Sequence, residues 1–181
     1  GNVQAVDNLL ARLEDQERSV RARAASALGQ TGGVRAVESL LARLEDESGN
    51  VRARAVSALG QIGDVRAVDG LLARLDDKKG DVRARAASAL GQIGDVRAVD
   101  GLLARLGDKD GHVRTRAVIA LGQIGDVRAV EALLARLDDK DRGVQWRANE
   151  ALIAILNRNA PQPKVEEMTC KPQTVPGPWD S

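Results

Sequence analysis

DVRAVDGLLARLDDKKGDVRARAASALGQIG, residues 64–94, recurs almost unchanged over residues 95–125. More altered forms of it occupy residues 2–32, 33–63 and 126–156. The anchors keep a step of 31 residues: Val20, Val51, Val82, Val113 and Val144 form one column, and Leu28, Leu59, Leu90, Leu121 and Leu152 another. Self-similarity at a fixed period of this size is the signature of a repeat architecture. Each unit buries its apolar face only against its neighbours, and the five copies exceed the roughly three that a stable array needs.

Within residues 64–94, Val65, Val68, Leu71, Leu72 and Leu75 recur at helical steps, and so do Val82, Ala86, Ala89, Leu90 and Ile93. Each unit therefore reads as two amphipathic helices, A and B, joined by the polar run 76–81. Asp81 reads as the N-cap of helix B, with Ser19, Asn50, His112 and Gly143 as its equivalents. Gly94 suits a left-handed helix end, and Asp95 then caps the next helix A. With no Phe and no Tyr, the core must be built from many small Leu, Val and Ala contacts.

The tetratricopeptide, ankyrin and leucine-rich signatures are absent. The units instead resemble the short HEAT-like repeat named after phycobilisome lyases. The resemblance rests on Gly63-Asp64-Val65-Arg66-Ala67-Val68 with Leu71-Leu72, and on Val82-Arg83-Ala84-Arg85-Ala86-Ala87 with Ala89-Leu90-Gly91-Gln92-Ile93-Gly94. It covers about residues 2–156 and implies an all-α, right-handed solenoid of five helix pairs. The resulting division is a repeat array over residues 1–156 and a tail over residues 157–181. The family implies mostly protein-binding scaffolds, with some chromophore-lyase subunits. A bilin-lyase-type subunit and a purely structural or designed array are the two alternatives to a scaffold.

Composition removes several function classes. The net charge of +1 argues against a bulk nucleic-acid binder, and stacking aromatics are scarce. No apolar run approaches the roughly 18 residues of a membrane span. One His and one Cys cannot build a metal set or a disulfide framework, so neither metal nor cofactor is expected. No G-x-x-x-x-G-K-[ST] loop occurs, serines lack a His partner outside the fourth unit, and paired carboxylates such as Asp76-Asp77 lie in exposed connections. His112 reads as a loop residue rather than a base. The expectation is a non-enzyme in a cytoplasmic setting.

Gly1 to Val6 already reads as part of a repeat with no polar cap before it. That points to a fragment of a longer array, the preferred reading, or to an end that associates with another chain. Residues 160–181 hold Pro161, Pro163, Pro172, Pro176 and Pro178, which forbid a continuing helix. The plain reading is a solvated tail. The sharper one is a peptide that docks on its own array or a neighbour's, with Trp179 as anchor. Self-association is expected, if anywhere, through the first unit or the tail.

On a helical wheel, Arg85, Ser88 and Gln92 share one flank of helix B, about 90–120° from the core stripe. They recur as Arg23, Arg54, Arg85, Arg116 and Arg147; as Ser26, Ser57, Ser88, Ile119 and Glu150; and as Gln30, Gln61, Gln92 and Gln123. In HEAT-like solenoids the B helices line the concave face, so the resemblance places these columns in a groove. Arginine is a planar fork suited to carboxylates, and the expected partner is a protein or peptide of acidic character. Ile119 and Trp146 interrupt the repeat on that face and are candidates for an apolar contact spot. Arg21, Arg52, Arg83 and Arg114 fall on the opposite flank, where pairing with a loop Asp of an adjacent repeat is the stronger reading.

Overall fold

A computed structural model describes residues 2–31 and 33–160. Among them run ten α-helices in five pairs. They are α1 (Asn2–Arg12) with α2 (Arg18–Thr31), α3 (Val37–Ala42) with α4 (Gly49–Ile62), and α5 (Val68–Arg74) with α6 (Gly80–Ile93). Then come α7 (Val99–Arg105) with α8 (Gly111–Ile124) and α9 (Val130–Leu134) with α10 (Arg142–Asn159). Each odd-numbered helix packs on its own partner, and the even-numbered ones stack in sequence, α2 on α4 through to α10. The described residues form an all-α solenoid whose core runs unbroken from Val6 to Ile155. No described helix is long and apolar enough to cross a membrane.

The first helix of a unit is entered through a 3-10 turn, Val65–Ala67, Val96–Ala98 or Val127–Ala129. Asp64, Asp95 and Asp126 accept from the backbone N–H two residues on, at 2.9 Å, as expected of a cap. The tighter winding takes the first valine off the apolar stripe. Val65 is 54% exposed, against the expectation that it joins the core, whereas Val68, Leu71 and Leu75 are buried. The three inner B helices, α4, α6 and α8, close on a glycine of positive φ: Gly63 at 73°, Gly94 at 76° and Gly125 at 80°. Their N–H groups donate to Leu59, Leu90 and Leu121 carbonyls at 2.9–3.0 Å.

The start of helix B differs from the expected one. The N-caps are Ser48, Lys79, Asp110 and Asp141, so Asn50, Asp81, His112 and Gly143 lie inside the first turn. His112 is accordingly helical and not a loop residue. The cause is an earlier turn. Asp46, Asp77, Asp108 and Asp139 each accept from the backbone N–H two residues on, at 2.9 Å, which swings the chain into the helix ahead of position 81.

Those same aspartates hold the repeats together. Arg52 donates from Nε and Nη2 to the two carboxylate oxygens of Asp77, at 2.7 and 2.9 Å. Its Nη1 donates to the carbonyls of Asp46 and Glu47 in its own unit's loop. Arg21 grips Asp46, Arg83 grips Asp108 and Arg114 grips Asp139 in the same two-pronged way. The side chains of Arg52 and Asp77 keep only 6% and 3% exposure. Burial on its own pushes Asp46, Asp77 and Asp108 up. The bonds from Arg and from the turn N–H more than offset it, and all three titrate below the usual carboxylate range. Asp139 is lowered chiefly by the bond from Arg114.

Stacked B helices approach at a Gly–Ala column. A Cβ on Gly60 would stand 2.8 Å from Ala89 Cβ, one on Gly91 2.7 Å from Ala120 Cα, and one on Gly122 2.9 Å from Ala151 Cβ. These contacts are with backbone or a rigid methyl, so the helices themselves must part to admit a side chain.

Gly91→Ala should lower stability by about 1–3 kcal/mol in chemical denaturation, although the same change in an isolated helix gains about 1 kcal/mol. A gain in the folded protein would contradict the close approach. Because folded pKa values of the clamp aspartates are depressed, their ionised forms stabilise the fold above the unfolded value of about 3.9, and that contribution is lost as pH falls through the lower folded values. Thermal melts should therefore hold a plateau down to about pH 5 and fall steeply below about pH 4. Asp77→Asn should cost about 3–5 kcal/mol at neutral pH by stranding the buried Arg52, and should flatten the acid limb. An unaltered melting temperature in Asp77→Asn would show the clamp to be idle.

Candidate interaction groove

The flank of helix B opposite to the clamps carries the second arginine column. Two helical positions separate Arg83 from Arg85, a rotation of roughly 200°, so one is buried against the next repeat and the other faces away from it. Arg54, Arg85 and Arg116 line one cavity of about 450 Å³ together with Ser57, Ser88, Gln61 and Gln92. A second cavity of about 480 Å³ continues from Arg54 to Arg23, past Asn50 and Ser19. A third, of about 300 Å³, lies at the other end and is lined by Ile119, Gln123, Arg147, Glu150, Ala151 and Arg158. The first two share Ser26, Gln30 and Arg54 and form one groove along the stacked B helices, and the third lies beyond it on the same stack.

The column is not uniform in its bonding. Arg85 donates to Asp81 of its own helix at 2.9 Å and to the Ser57 hydroxyl of the preceding unit at 3.1 Å. Arg147 donates to Glu150 at 2.8 Å, and its guanidinium lies 4.2 Å from the Trp146 ring centre. For Arg23, Arg54 and Arg116, no carboxylate among the described residues comes within 4.0 Å. All three are exposed. The groove thus offers three uncompensated guanidinium forks, one unit apart at Arg23 and Arg54 and two units apart at Arg54 and Arg116, with serine hydroxyls and glutamine amides between them.

The glutamines sit where helices meet. The place of a Cβ on Gly29 is 2.6 Å from Gln61 Oε1, and on Gly60 it is 2.7 Å from Gln92 Oε1. Each glutamine therefore lies over the glycine of the preceding B helix, with its amide at the groove floor. At the C-terminal end the hydroxyl column becomes Ile119, half-buried, so polar lining gives way to apolar lining.

Of the residues expected on this face, Arg23, Arg54, Arg85, Arg116, Arg147, Gln61, Gln92, Gln123 and Ile119 all line these cavities. Trp146 does not; it is 55% exposed and stands beside Arg147 at the end of the array. Of the two candidates for an apolar contact spot, Ile119 lines the C-terminal cavity and Trp146 stands outside it. Trp179 lies outside the described residues. Sequence reasoning missed Asp81, which lines the central cavity together with His112. Their column, Ser19, Asn50, Asp81 and His112, had the signal of a contact surface, since it changes in every unit while the frame stays constant.

Comparison with known proteins agrees with the fold. Among curated protein sequences nothing matches the chain. Among solved structures, the CpcE–CpcF complex of phycocyanin lyase from Nostoc sp. PCC7120 is similar at 28% identity and a TM-score of 0.78. That match covers 84% of this chain, which spans 65% of the relative's length. An engineered protein matches at 26% identity and a TM-score of 0.67, over 84% of this chain and 79% of its own. A designed armadillo repeat protein in complex with the peptide (KR)4 matches at 22% identity and a TM-score of 0.67, over 84% of this chain and 82% of its own. The family model for HEAT repeats matches residues 6–87 and again residues 68–153, and with the geometry of its helix pairs this chain belongs to the HEAT repeat family.

Proposed function

We propose that this chain is a non-catalytic scaffold that binds an acidic segment of a protein partner along the B-helix groove. One observation carries the reading: Arg23, Arg54 and Arg116 project into a continuous groove without carboxylates of their own. The glutamine amides and serine hydroxyls between them suit the peptide groups of an extended segment. Arginine forks accept carboxylates in a two-pronged geometry that a diffuse positive surface does not select. The similarity to a lyase chain that is found in complex with a second protein supports a protein partner.

The same similarity supports a second reading, a subunit of a bilin lyase. That reading requires a tetrapyrrole or its acceptor protein as ligand, and it is separated from the first by what the protein captures.

The test is affinity capture from source-cell lysate, read by mass spectrometry, followed by titration of the captured segment as a peptide. The baits are the chain itself and the variant Arg54→Glu/Arg85→Glu/Arg116→Glu, shown by circular dichroism to stay helical. Each exposed pair is worth about 0.2–1 kcal/mol, so the triple variant should weaken peptide binding by about 3- to 150-fold. Binding should also weaken as salt rises. A partner retained in full by the triple variant would remove the groove from the function. Capture of an apolar tetrapyrrole-bearing protein with no dependence on the arginines would favour the lyase reading.

A further inference from the structure

Five large apolar side chains stand 38–57% exposed at the C-terminal end of the array: Leu134, Leu137, Trp146, Ile153 and Leu156. Their register explains why they lie together. One unit earlier these positions are Leu103, Leu106, Thr115, Gly122 and Gly125. In the inner units this surface is covered by the next repeat. Leu72 and Leu75 reach to where a Cβ on Gly101 would stand, Ala151 packs on Gly122, and Arg158 lies over Gly125. The last unit keeps the apolar half of a repeat interface and enlarges it with Trp146, Ile153 and Leu156.

That face is closed to another helix pair in the same register. Ile153 occupies the position at which Gly122 admits the Ala151 backbone. Gln145 occupies the position of the clamping arginine, and its amide donates to the Asp139 carbonyl of its own loop at 2.7 Å. No fork is left to grip a following aspartate. The N-terminal face of a second copy meets the same obstruction. The area also argues against a second copy: a patch on the order of a few hundred Å² is of the size found on monomers, below the roughly 800 Å² per partner of a standard interface.

We infer that residues 161–181 of this chain cover the end face, with Trp179 as the main apolar contact. The segment leaves from the margin of the patch, since α10 ends at Asn159, three residues beyond Leu156. It carries Val165, Met168, Val175 and Trp179. Its prolines prevent α10 from simply extending past the face. Tethering supplies an effective concentration in the millimolar range, so a modest apolar contact is enough to close it. This surface is separate from the groove, and its role is independent of the partner proposed above.

Trp146→Phe leaves Trp179 as the only indole and allows a direct test. In that variant Trp179 should emit to the blue of a free peptide of residues 161–181 and should be several-fold less quenched by acrylamide. Adding Ile153→Glu, at a half-exposed position, should return both readings to those of the free peptide, while adding Arg85→Glu should leave them unchanged. Leu156→Ser replaces Ile153→Glu if circular dichroism shows the latter to lose helix. Free-peptide quenching in the parent variant overturns the inference. So does protection that vanishes with Arg85→Glu, which would put the segment in the groove, or protection that is lost on dilution of a dimer seen by light scattering.

Discussion

The buried arginine–aspartate fork is the interaction on which the array depends. Each fork does three things at once. The carboxylate shapes the turn that starts its own B helix, as Asp77 does for Lys79. The guanidinium ties down the loop carbonyls of its own unit, as Arg52 does for Asp46 and Glu47. The charge pair then joins the two units. Burial makes this arrangement expensive to leave incomplete, because either partner alone would be a desolvated charge. A unit whose loop has not formed cannot receive the fork, so folding of one unit and docking on the next are coupled through the same atoms.

Packing adds what the forks cannot. An array without Phe or Tyr has no large side chain to fill space between helices, and close approach must replace bulk. The Gly–Ala column provides it: Gly29, Gly60, Gly91 and Gly122 each receive the alanine of the next B helix. Leucines fill the rest, with Leu28, Leu59, Leu90 and Leu121 fully buried. The outer arginines on the A-helix side, Arg66, Arg97 and Arg128, pair with Glu38, Asp69 and Asp100 at 3.3–3.4 Å on the surface. Such exposed pairs add little to stability and set no register of their own.

Much of this was legible in the sequence, and for a definite reason. A repeat is its own alignment: constant positions report the frame, and variable ones report freedom from it. The 31-residue step, the glycine helix ends, the Asp64-type caps and the inter-repeat pairing of Arg21, Arg52, Arg83 and Arg114 all came from constant columns. The misplaced features came from local geometry that periodicity does not encode. Asp77 turns the chain early and draws Asp81 into the helix, and a 3-10 turn carries Val65 out of the core. Both errors are shifts of phase over two or three residues. The groove column of Ser19, Asn50, Asp81 and His112 was hidden behind the first of them, because a side chain at a cap turns to the first-turn N–H groups and not into the groove.

The two arginine columns show how such a protein separates structure from recognition. Arg83 and Arg85 are the same residue type, two positions apart on one helix. The first is constrained by a buried carboxylate, a turn and two loops, and in the fifth unit Gln145 takes its place and donates to the Asp139 carbonyl of its own loop. The second meets only water, a neighbouring hydroxyl and an exposed Asp81. Substitution there leaves the buried forks and the Gly–Ala column between repeats intact. The lining of the groove can therefore change through positions 23, 54, 85, 116 and 147, and through the column that holds Asp81 and His112, without disturbing the buried forks of the stack. A single unit cannot do this, because its apolar face is unburied when alone. The forks that make the array rigid are thus also what frees the groove to vary.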